Sequence, residues 1–314
     1  MSAAPGVRAL VLTYGTSGVH EELLASLRRE GLEPAQILVV HNPAEPGEPD
    51  PRLPDGVRLL RSERNLGYAG GMNLGLRELL GGAEDFDHVL LLSHDARLRA
   101  GALERLVAAA EASPGHGVLA PALMFAGTER PFSFGGTTNR WGRTDHRRER
   151  PAGGAVADSD WVDGGTMLIR RDALARVGDF DESFWGYCEE SELCLRIRRA
   201  GYAIGVVPEA VADQDPGGLK RPGVWAYLLV RNGAEYSRRA CGLAGLLGAA
   251  GRWAREMALL GTRYLVRTVR SRPGGREEIR ILAVGVGRGY LDFCRRRFGP
   301  PPANLPGSGD TSNV

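Results

Sequence analysis

Three carboxylates lie close together in the segment from Trp161 to Gln214. They are Glu189, Glu190 and Glu192, and they follow the aromatic run Phe184-Trp185-Gly186-Tyr187. Like charges that are buried together are strongly unfavourable unless a cation or a proton relieves the repulsion. Aromatic side chains beside carboxylates suit the apolar faces and the hydroxyl groups of a sugar. The segment therefore has the composition of an active site.

Another carboxylate, Asp95, follows the apolar run Val89–Leu92 in the sequence Ser93-His94-Asp95. This places Asp95 at the exit of a buried strand. Such a carboxylate is well placed to hold a divalent cation against a diphosphate, because Mg²⁺ takes only one or two protein carboxylates and leaves its other positions to water and phosphate. The alternative is an N-cap for the helix that begins near Ala102, or a turn.

The elements that must position these residues follow an alternating pattern. Apolar runs that read as strands occur at Ala9–Thr13, Gln36–His41, Val57–Leu60 and His88–Ser93, and they alternate with helical patterns at Glu21–Glu30, Gly71–Leu80 and Ala102–Ala112. This alternation predicts an α/β fold with a mostly parallel central sheet flanked by helices. Ligands of such sheets bind beyond the carboxyl ends of the strands, so the first, second and fourth strand ends are expected to line one crevice.

A glycine-rich segment from Asn65 to Gly75 links the third strand to a helix. Glycines permit close backbone approach, and amides at the start of a helix favour an anionic group. The segment has neither the Gly-Lys-Ser/Thr ending of a phosphate loop nor the dinucleotide-binding fingerprint. We therefore expect it to contact a phosphate in a different way.

The C-terminal part of the chain is strongly basic. Residues 238–297 contain fourteen arginines and four acidic residues, a net charge of about +10 that leaves the rest of the chain near −8. A long amphipathic helix is predicted from near Gly242, with Trp253, Met257, Leu260 and Tyr264 on one face and Arg255, Arg263, Arg267 and Arg270 on another. The charge predicts an anionic membrane surface or a polyanion as partner. The alternatives are a helix that packs in the core or in a homodimer, and arginine that merely replaces lysine.

The four cysteines, Cys188, Cys194, Cys241 and Cys294, show no Cys-x-x-Cys spacing and are expected to be reduced. The N-terminus lacks the pattern of a signal peptide, and no apolar stretch reaches the roughly 20 residues that span a bilayer. We therefore expect a cytoplasmic protein, with peripheral contact at the inner face of the membrane through the basic region. No nucleic-acid partner is expected.

Seven motifs in a fixed order carry a family resemblance. They are Leu12-Thr13-Tyr14, Val39–Asn42, Asn65–Asn73, Leu91–Asp95, Gly164–Ile169, Gly178–Glu182 and Tyr187–Leu193. In this order they resemble glycosyltransferase family 2, notably its rhamnosyltransferase-like members. The resemblance covers about residues 7 to 240.

The resemblance implies a nucleotide-sugar-binding domain of the GT-A type over residues 1–240. A basic helical extension over 241–299 and a disordered tail over 300–314 would follow it. The implied reaction is inverting and uses a divalent cation, Mg²⁺ or Mn²⁺. It moves a hexose, or a deoxyhexose such as rhamnose, from a nucleoside-diphosphate sugar to a hydroxyl group. The acceptor would be a glycan, a lipid-linked sugar or a small molecule of cell-envelope, glycolipid or natural-product glycosylation.

The resemblance also assigns roles to individual residues. Glu190 matches the catalytic base, which is usually Asp, while Asp95 and Gln214 match the metal site, where Gln214 replaces the usual His. The neighbouring Asp213 or Asp215 is the alternative to Gln214 as a metal ligand. Matched to the donor are Thr13, Tyr14, Asn42, Asn65, Gly67, Asn73, Ser93 and Arg231. Matched to the acceptor are Gly164, Gly165, Trp185, Tyr187 and Glu189. His41 stands where the family commonly has an Asp that contacts the nucleobase, so the usual base preference does not carry over.

Two other functions remain open at this stage. A sugar-nucleotide pyrophosphorylase would use a related α/β scaffold, but it needs a basic residue in its N-terminal glycine-rich loop, and Gly15-Thr16-Ser17-Gly18 has none beside it. A degenerate, non-catalytic member that binds a nucleotide sugar or a partner protein is consistent with Ser93, His41 and Gln214. The presence of Asp95 together with Glu190 favours the enzyme, because a binding protein has no need for a base.

Overall fold

The computed structural model describes residues 6–15, 21–45, 47–83, 85–215, 221–269 and 274–306. The chain forms two compact units. The first contains Met1–Thr137, Asp145–Asp181 and Glu190–Gly217, and the second contains Thr138–Thr144, Glu182–Glu189 and Gly218–Val314. The second unit thus begins before residue 241, where the sequence predicted the helical extension, and it includes two short segments from the middle of the chain.

Strands and helices alternate in the N-terminal half of the first unit. In chain order they are β1 (Val7–Tyr14), α1 (Glu21–Arg29), β2 (Ile37–Asn42), β3 (Arg58–Arg61), α2 (Gly67–Gly81), β4 (His88–Ser93), β5 (Ala96–Leu98) and α3 (Ala102–Ala112). The predicted bounds of β4 and α3 agree with the structure. Helix α2 begins four residues earlier than predicted, so most of the glycine-rich segment is helical.

The remaining elements of the first unit are mostly short. They are β6 (His116–Phe125), β7 (Pro131–Ser133), β8 (Gly136–Thr138), β9 (Thr144–His146), β10 (Ala157–Asp158), β11 (Thr166–Arg170), α4 (Arg171–Val177), α5 (Glu189–Arg199) and β12 (Ala203–Gln214). Strands β8 and β9 form a separate two-stranded sheet. The ends of β8 and β9, together with the turn between them, belong to the second unit.

The central sheet has the strand order β10-β12-β6-β11-β4-β1-β2-β3. Strands β3, β2, β1 and β4 are parallel, and so are β6 and β12. Strand β11 lies between these two groups and is antiparallel to both β4 and β6. The predicted α/β class is confirmed, and the sheet that the structure shows is mixed.

The central strands are buried on both faces. Ala9 and Val11 of β1 belong to one apolar cluster, together with residues of α1 and α3, whereas Leu10 and Leu12 belong to the opposite cluster with residues of α2 and α5. Alternate side chains of a strand point to opposite faces, so a strand covered on both sides is apolar throughout. The helices on both sides thereby fix the strand ends that carry the polar residues.

Two long helices form most of the second unit: α6 (Pro222–Val269) and α7 (Gly274–Cys294). Gly242 interrupts α6 with a φ of 56° and a ψ of −128°, near the predicted helix start. Beyond this break Leu260 packs with Ile279 and Val286 of α7, and Trp253 and Met257 lie against the same cluster. No helix in the described ranges is long and apolar enough to cross a membrane.

The predicted disordered tail begins at Pro300, but the structure describes the chain as far as residue 306. Leu305 is buried and clusters with Tyr227 and Leu228, while Asn304 accepts a hydrogen bond from Arg288. This part of the tail therefore packs onto the helices. Residues 307–314 lie outside the described residues.

Candidate active site

The turn Gly164-Gly165 leads into β11 and lies at the carboxyl end of β4. The backbone amide of Ser93 donates a hydrogen bond of 3.0 Å to the carbonyl of Gly165. Tyr68 of α2 donates its hydroxyl to the carbonyl of Gly164. The turn predicted on the acceptor side is thus anchored to the elements that carry the predicted donor residues.

The predicted metal ligands Asp95 and Gln214 lie on neighbouring elements. Strand β5 pairs antiparallel with β12 so that Gln214 is opposite Ala96, the residue after Asp95. The amide of Asp215 donates to the carbonyl of Asp95 over 3.0 Å. Ser93 donates its hydroxyl to the Asp95 carboxylate. The structure therefore brings Ser93, Asp95 and Gln214 close together.

Gln214 is 7% exposed, and its Oε1 atom is buried with no hydrogen-bond partner in the described part of the chain. A Cβ atom at Gly165 would lie 2.2 Å from this oxygen, so only glycine lets the turn approach the amide so closely. A buried acceptor without a donor is unfavourable. A cation or a ligand donor at this position would remove the penalty.

The oxygen donors at this point fit a divalent cation that a bound diphosphate helps to hold. Asp95 supplies a carboxylate and Gln214 a carbonyl oxygen, which are ligand types that Mg²⁺ prefers. Among the described residues no cluster of three or more His, Cys, Asp or Glu side chains is arranged to hold a metal ion. A small set of protein ligands is compatible with Mg²⁺, since water and phosphate oxygens complete its coordination.

Glu190, the predicted base, lies at the start of α5 and is partly buried. The pKa of Glu190 is raised to about 7: burial and, to a smaller extent, the charge of Asp163 raise it, whereas the backbone amide of Glu190, the charge of His146 and the hydroxyl of Ser191 lower it. A carboxylate that titrates near neutral pH is suited to accept a proton from a hydroxyl group. The raised pKa of Glu190 is compatible with the role of general base that the resemblance implies.

The neighbouring acid Glu192 has a structural environment. It is 2% exposed and accepts a hydrogen bond of 2.8 Å from Arg196, which also donates to the carbonyls of Val177 and Asp179. Arg198, two residues further along α5, pairs with Asp160. The two carboxylates of α5 in the first unit therefore differ, because one is neutralised by an arginine and the other has a raised pKa.

Two residues near Glu190 were not identified from the sequence. His146 of β9 and Asp163, the residue before the Gly164-Gly165 turn, are joined by a hydrogen bond of 2.7 Å between Nε2 and Oδ1. Asp163 adjoins a predicted acceptor motif, and this adjacency was the available signal. His146 lies in a segment without a clear sequence motif, so nothing in the sequence marked it as a site residue.

On the donor side the side chains of Thr13, His41 and Asn42 are buried at the ends of β1 and β2. Thr13 Oγ1 lies 3.1 Å from His41 Nδ1, and burial lowers the pKa of His41. His41 Nε2 has no hydrogen-bond partner in the described part of the chain. The structure thus presents a neutral imidazole where the family commonly has a carboxylate. Tyr14, the last residue of β1, is partly buried.

Asn42 and Asn65 shape the start of α2. Asn42 donates to Asn65 Oδ1 and to the carbonyl of Gly67, and Asn65 accepts from the amide of Gly67 over 2.9 Å. Gly67 has a φ of 71°, which favours glycine. Asn73, further along α2, is fully buried and uses both ends of its amide on the backbone of Phe180. The prediction that Asn73 binds the donor finds no support in this geometry.

The loop Glu182–Glu189 in the second unit carries the remaining acceptor residues. Trp185, Tyr187 and Cys188 have φ values of 65°, 66° and 70°, a region that non-glycine residues rarely adopt. Trp185 is partly buried against the cluster of Tyr227, Leu228 and Leu305. Tyr187 is 46% exposed and Glu189 is buried. Of the two aromatic residues, Tyr187 is the one open to a ligand.

The pair Arg231-Asn232 of α6 holds this loop from within the second unit. Asn232 Nδ2 lies 2.7 Å from the carbonyl oxygens of Phe184 and Gly186 and 2.9 Å from that of Tyr187. Arg231 is fully buried and donates to Phe184, Asn232 and the Tyr227 hydroxyl. The predicted contact of Arg231 with the donor therefore finds no support, since its hydrogen bonds are internal to the second unit.

The amino-acid sequence matches a known family model and is similar to curated relatives. Residues 9–178, more than half of the chain, match the family model of Glycosyl transferase family 2. The N-acetylglucosaminyl-diphospho-decaprenol L-rhamnosyltransferase of Mycobacterium tuberculosis is 29% identical over 229 residues, which cover 64% of this chain and 73% of that protein. Rhamnosyltransferase WbbL of Escherichia coli is 43% identical over 49 residues, which cover 16% of this chain and 19% of WbbL.

Solved structures show the same fold. The mannosyltransferase PcManGT of Pyrobaculum calidifontis, in complex with GDP-Man and Mn²⁺, has a TM-score of 0.50 and covers 94% of this chain and 89% of its own. TarS residues 1–349 of S. aureus have a TM-score of 0.51 with 91% and 80% covered. GalNAc-T7 with UDP, GalNAc and Mn²⁺ also scores 0.51, and this chain spans 48% of its length. Each is 14% identical in sequence, so the likeness concerns the fold.

Proposed function

The chain belongs to glycosyl transferase family 2, and on this premise we propose that it transfers a hexose or deoxyhexose from a nucleoside-diphosphate sugar to a hydroxyl group with inversion. The observation that carries the proposal is Glu190, a carboxylate at the start of α5 whose pKa burial raises to about 7. Rhamnose is the proposed sugar, because the curated relatives in Mycobacterium tuberculosis and Escherichia coli are named rhamnosyltransferases.

In the proposed reaction Glu190 accepts the proton of the acceptor hydroxyl as its oxygen attacks the anomeric carbon. The bond between that carbon and the diphosphate oxygen breaks, and its electron pair leaves with the nucleoside diphosphate. Glu190 acts as a base only when it is ionised, so the rate should rise with pH through the pKa near 7. The proposed acceptor is a lipid-linked sugar, as the name of the mycobacterial relative suggests.

A divalent cation is part of the proposal. Asp95 and Gln214 would hold it, because they bring a carboxylate and a buried oxygen without a partner to the end of the sheet. When bound, Mg²⁺ or Mn²⁺ neutralises negative charge on the diphosphate. Ser93 donates a hydrogen bond to Asp95 and thereby orients its carboxylate for this role.

Peripheral contact with an anionic membrane is the last part of the proposal. Beyond Gly242, helix α6 exposes Leu243, Leu247 and Leu265 to 72%, 60% and 67%. The exposed arginines Arg255 and Arg263 lie on the same part of the helix. Apolar side chains combined with arginine suit the interface of a bilayer with acidic lipids. In a dimer formed through this part of the helix, the arginines of the two copies would repel each other, whereas acidic lipids would attract them. Charge therefore favours a lipid surface as the partner.

The experiment that tests the function is a donor panel. UDP-, dTDP- and GDP-sugars, including dTDP-rhamnose, would be incubated with the protein and Mn²⁺, Mg²⁺ or chelator, and release of nucleoside diphosphate would be measured with and without lipid-linked and free sugar acceptors. Consumption of one donor only with metal is the expected result. Binding of a donor without turnover under every condition would contradict the enzyme and favour a non-catalytic binding protein.

A further inference from the structure

The hydrogen-bonded pair of His146 and Asp163 lies beside the proposed base and has no role in the reaction as described above. Asp163 is largely buried, with 14% of its side chain exposed, and the His146 side chain is 35% exposed. Both residues belong to the first unit, as does Glu190. An ion pair of this kind on the surface would contribute little. This one lies beside α5, because Val162, the residue before Asp163, hydrogen-bonds through its backbone with Cys194, one turn along the helix from Glu190. At this position the charges of Asp163 and His146 act on Glu190.

Aromatic rings fix the position of the imidazole. The His146 ring meets Trp161 edge to face, with centroids 4.9 Å apart, and meets Phe132 in the same manner at 5.5 Å. Phe132 in turn packs edge to face on Phe125 at the end of β6. With Asp163 hydrogen-bonded to Nε2, the ring has little freedom to turn. These contacts hold the imidazole in one orientation, unlike the imidazole of a mobile histidine on the surface.

The charges around the His146 imidazole come from three segments of the chain: the end of β9, the turn before β11 and the start of α5. His146 faces Asp163, Glu190 and Arg148; burial lowers its pKa, but the hydrogen bond and charge of Asp163 and the charge of Glu190 outweigh burial and raise it. Glu190 faces Asp163, His146 and the hydroxyl of Ser191, and among the charges the effect of Asp163 exceeds that of His146. The imidazolium form is thus favoured next to the base.

We propose that His146, oriented by Asp163, is a positioning residue that holds Glu190 in its carboxylate form when an acceptor hydroxyl enters the site. The inference deepens the proposed function and rests on it, because it requires Glu190 to be the base. Asp163 has two opposite effects: its charge disfavours the ionised form of Glu190, while its hydrogen bond keeps a cation at His146. The pair therefore adjusts the pH at which the base becomes available.

The test is the pH dependence of kcat/KM for the full-length protein with the donor that the panel identifies. His146→Gln should shift the acidic limb of the profile to higher pH by about half a unit or more, while the rate on the alkaline plateau stays within about threefold. Asp163→Asn should shift the limb to lower pH, because the charge of Asp163 raises the pKa of Glu190. A purely structural role would not move the limb in opposite directions.

The matched control is His116→Gln. His116 also faces an aspartate, Asp158, at 3.4 Å, but it lies at the opposite end of β6 from Phe125, whose ring leads to His146. Its profile should overlay that of the unmodified protein. Proton NMR of the imidazole Cε1–H signals adds a readout that does not need turnover: the pKa of His146 should exceed that of an ordinary histidine and should fall in Asp163→Asn.

The outcomes separate this inference from the function. If Glu190→Gln remains active, the base assignment is wrong and the inference falls with it. If Glu190→Gln is inactive while His146→Gln keeps the profile of the unmodified protein, or is slowed equally at every pH, only the role of His146 is wrong. Should His146→Gln fail to fold, Asp163→Asn and the NMR titration decide the question.

Discussion

Two glutamates on α5 show how environment, rather than residue type, decides a role. Glu192 is neutralised by Arg196 at 2.8 Å, whereas the pKa of Glu190 is raised to about 7. A buried carboxylate paired with arginine contributes to structure, and removing one partner leaves an uncompensated charge. A carboxylate with a raised pKa is available for proton transfer. The two positions therefore form a matched pair for mutagenesis.

Glu190→Gln should lower kcat by about 10² to 10⁴, because glutamine cannot accept the proton of the acceptor. Thermal unfolding should change little, since the substitution removes a charge from a site that already disfavours it. Glu192→Gln, the control, should mainly lower the unfolding temperature, because Arg196 loses its partner. Steady-state kinetics and differential scanning fluorimetry on both variants would check this. Full activity of Glu190→Gln would remove it from the role of base.

Asp95→Asn should raise the concentration of Mn²⁺ needed for half-maximal rate at least about tenfold, because a neutral amide is a weaker ligand than a carboxylate. Isothermal titration of Mn²⁺ in the presence of a nucleoside diphosphate gives the affinity without turnover. Asp213→Asn on β12 is the comparison, since Asp213 is already paired with Arg99 at 2.8 Å. Equal metal dependence in Asp95→Asn and the unmodified protein would contradict the assignment.

At the scale of elements, the loop Glu182–Glu189 depends on α6 for its shape. Three of its non-glycine residues have a positive φ, and each costs free energy, on the order of 1 kcal/mol. The amide of Asn232 lies within hydrogen-bond distance of three of its carbonyl groups. One buried side chain thereby stabilises a backbone conformation that the loop sequence alone disfavours.

Asn232→Ala should destabilise the second unit by about 1–3 kcal/mol, because the buried carbonyl groups of the loop lose the donor that Asn232 supplies. Hydrogen exchange of the amides of residues 183–188 should become faster. Asn139→Ala is the control, since the side-chain oxygen of the exposed Asn139 accepts from the amides of Trp141 and Arg143 in a local turn. Unchanged exchange in the loop of Asn232→Ala would show that other contacts hold it.

The elements that could be predicted from the sequence were those whose local pattern and packing agree. Strand β4 and helix α3 have the predicted bounds. The segment Asn65–Gly75 differs, because its glycines suggested a ligand loop, yet Gly71 and Gly75 let α2 approach Leu12 and Leu10 of β1.

The site residues were harder to predict than the elements. His146 pairs with Asp163 across distant positions of the chain, and such a pair leaves no pattern in the local sequence. The resemblance assigned Asp95 and Gln214 to one metal site, and the structure places them on neighbouring elements. The burial of Asn73 and Arg231 depends on tertiary contacts that no local pattern reveals.

At the scale of the whole molecule, charge is unevenly distributed along the chain. Residues 238–297 have a net charge of about +10, and the rest of the chain is near −8. Part of the positive charge has an internal function, because Arg238, Arg239 and Arg296 all pair with the buried Glu235, whose pKa they hold at about 2 despite burial, which alone would raise it. Arg255 and Arg263, which are exposed on α6 beyond Gly242, are available to an anionic surface.

Leu243→Glu combined with Leu247→Glu should weaken binding to vesicles of phosphatidylcholine and phosphatidylglycerol at least about tenfold, because it places charge on the exposed apolar face. Binding of the unmodified protein should fall at high salt and should be weak on phosphatidylcholine alone. Co-sedimentation measures both, and Leu59→Glu in β3, 38% exposed, is the control. Vesicle binding that does not change with salt would contradict an electrostatic contribution. If light scattering shows a dimer that becomes monomeric in the double variant, the face with Leu243 and Leu247 binds a second copy of the chain instead.

The distribution of the four thiols has a practical consequence for labelling. Cys188 and Cys194 are buried, and burial raises the pKa of the Cys194 thiol to about 12. Because the thiolate is the reactive form, a maleimide applied near neutral pH should leave Cys194 unmodified. Cys294 at the end of α7 is exposed, and Cys241 is only partly so. A fluorophore on Cys294 would therefore report on the environment at the end of α7 during vesicle binding, and no cysteine would have to be introduced or removed.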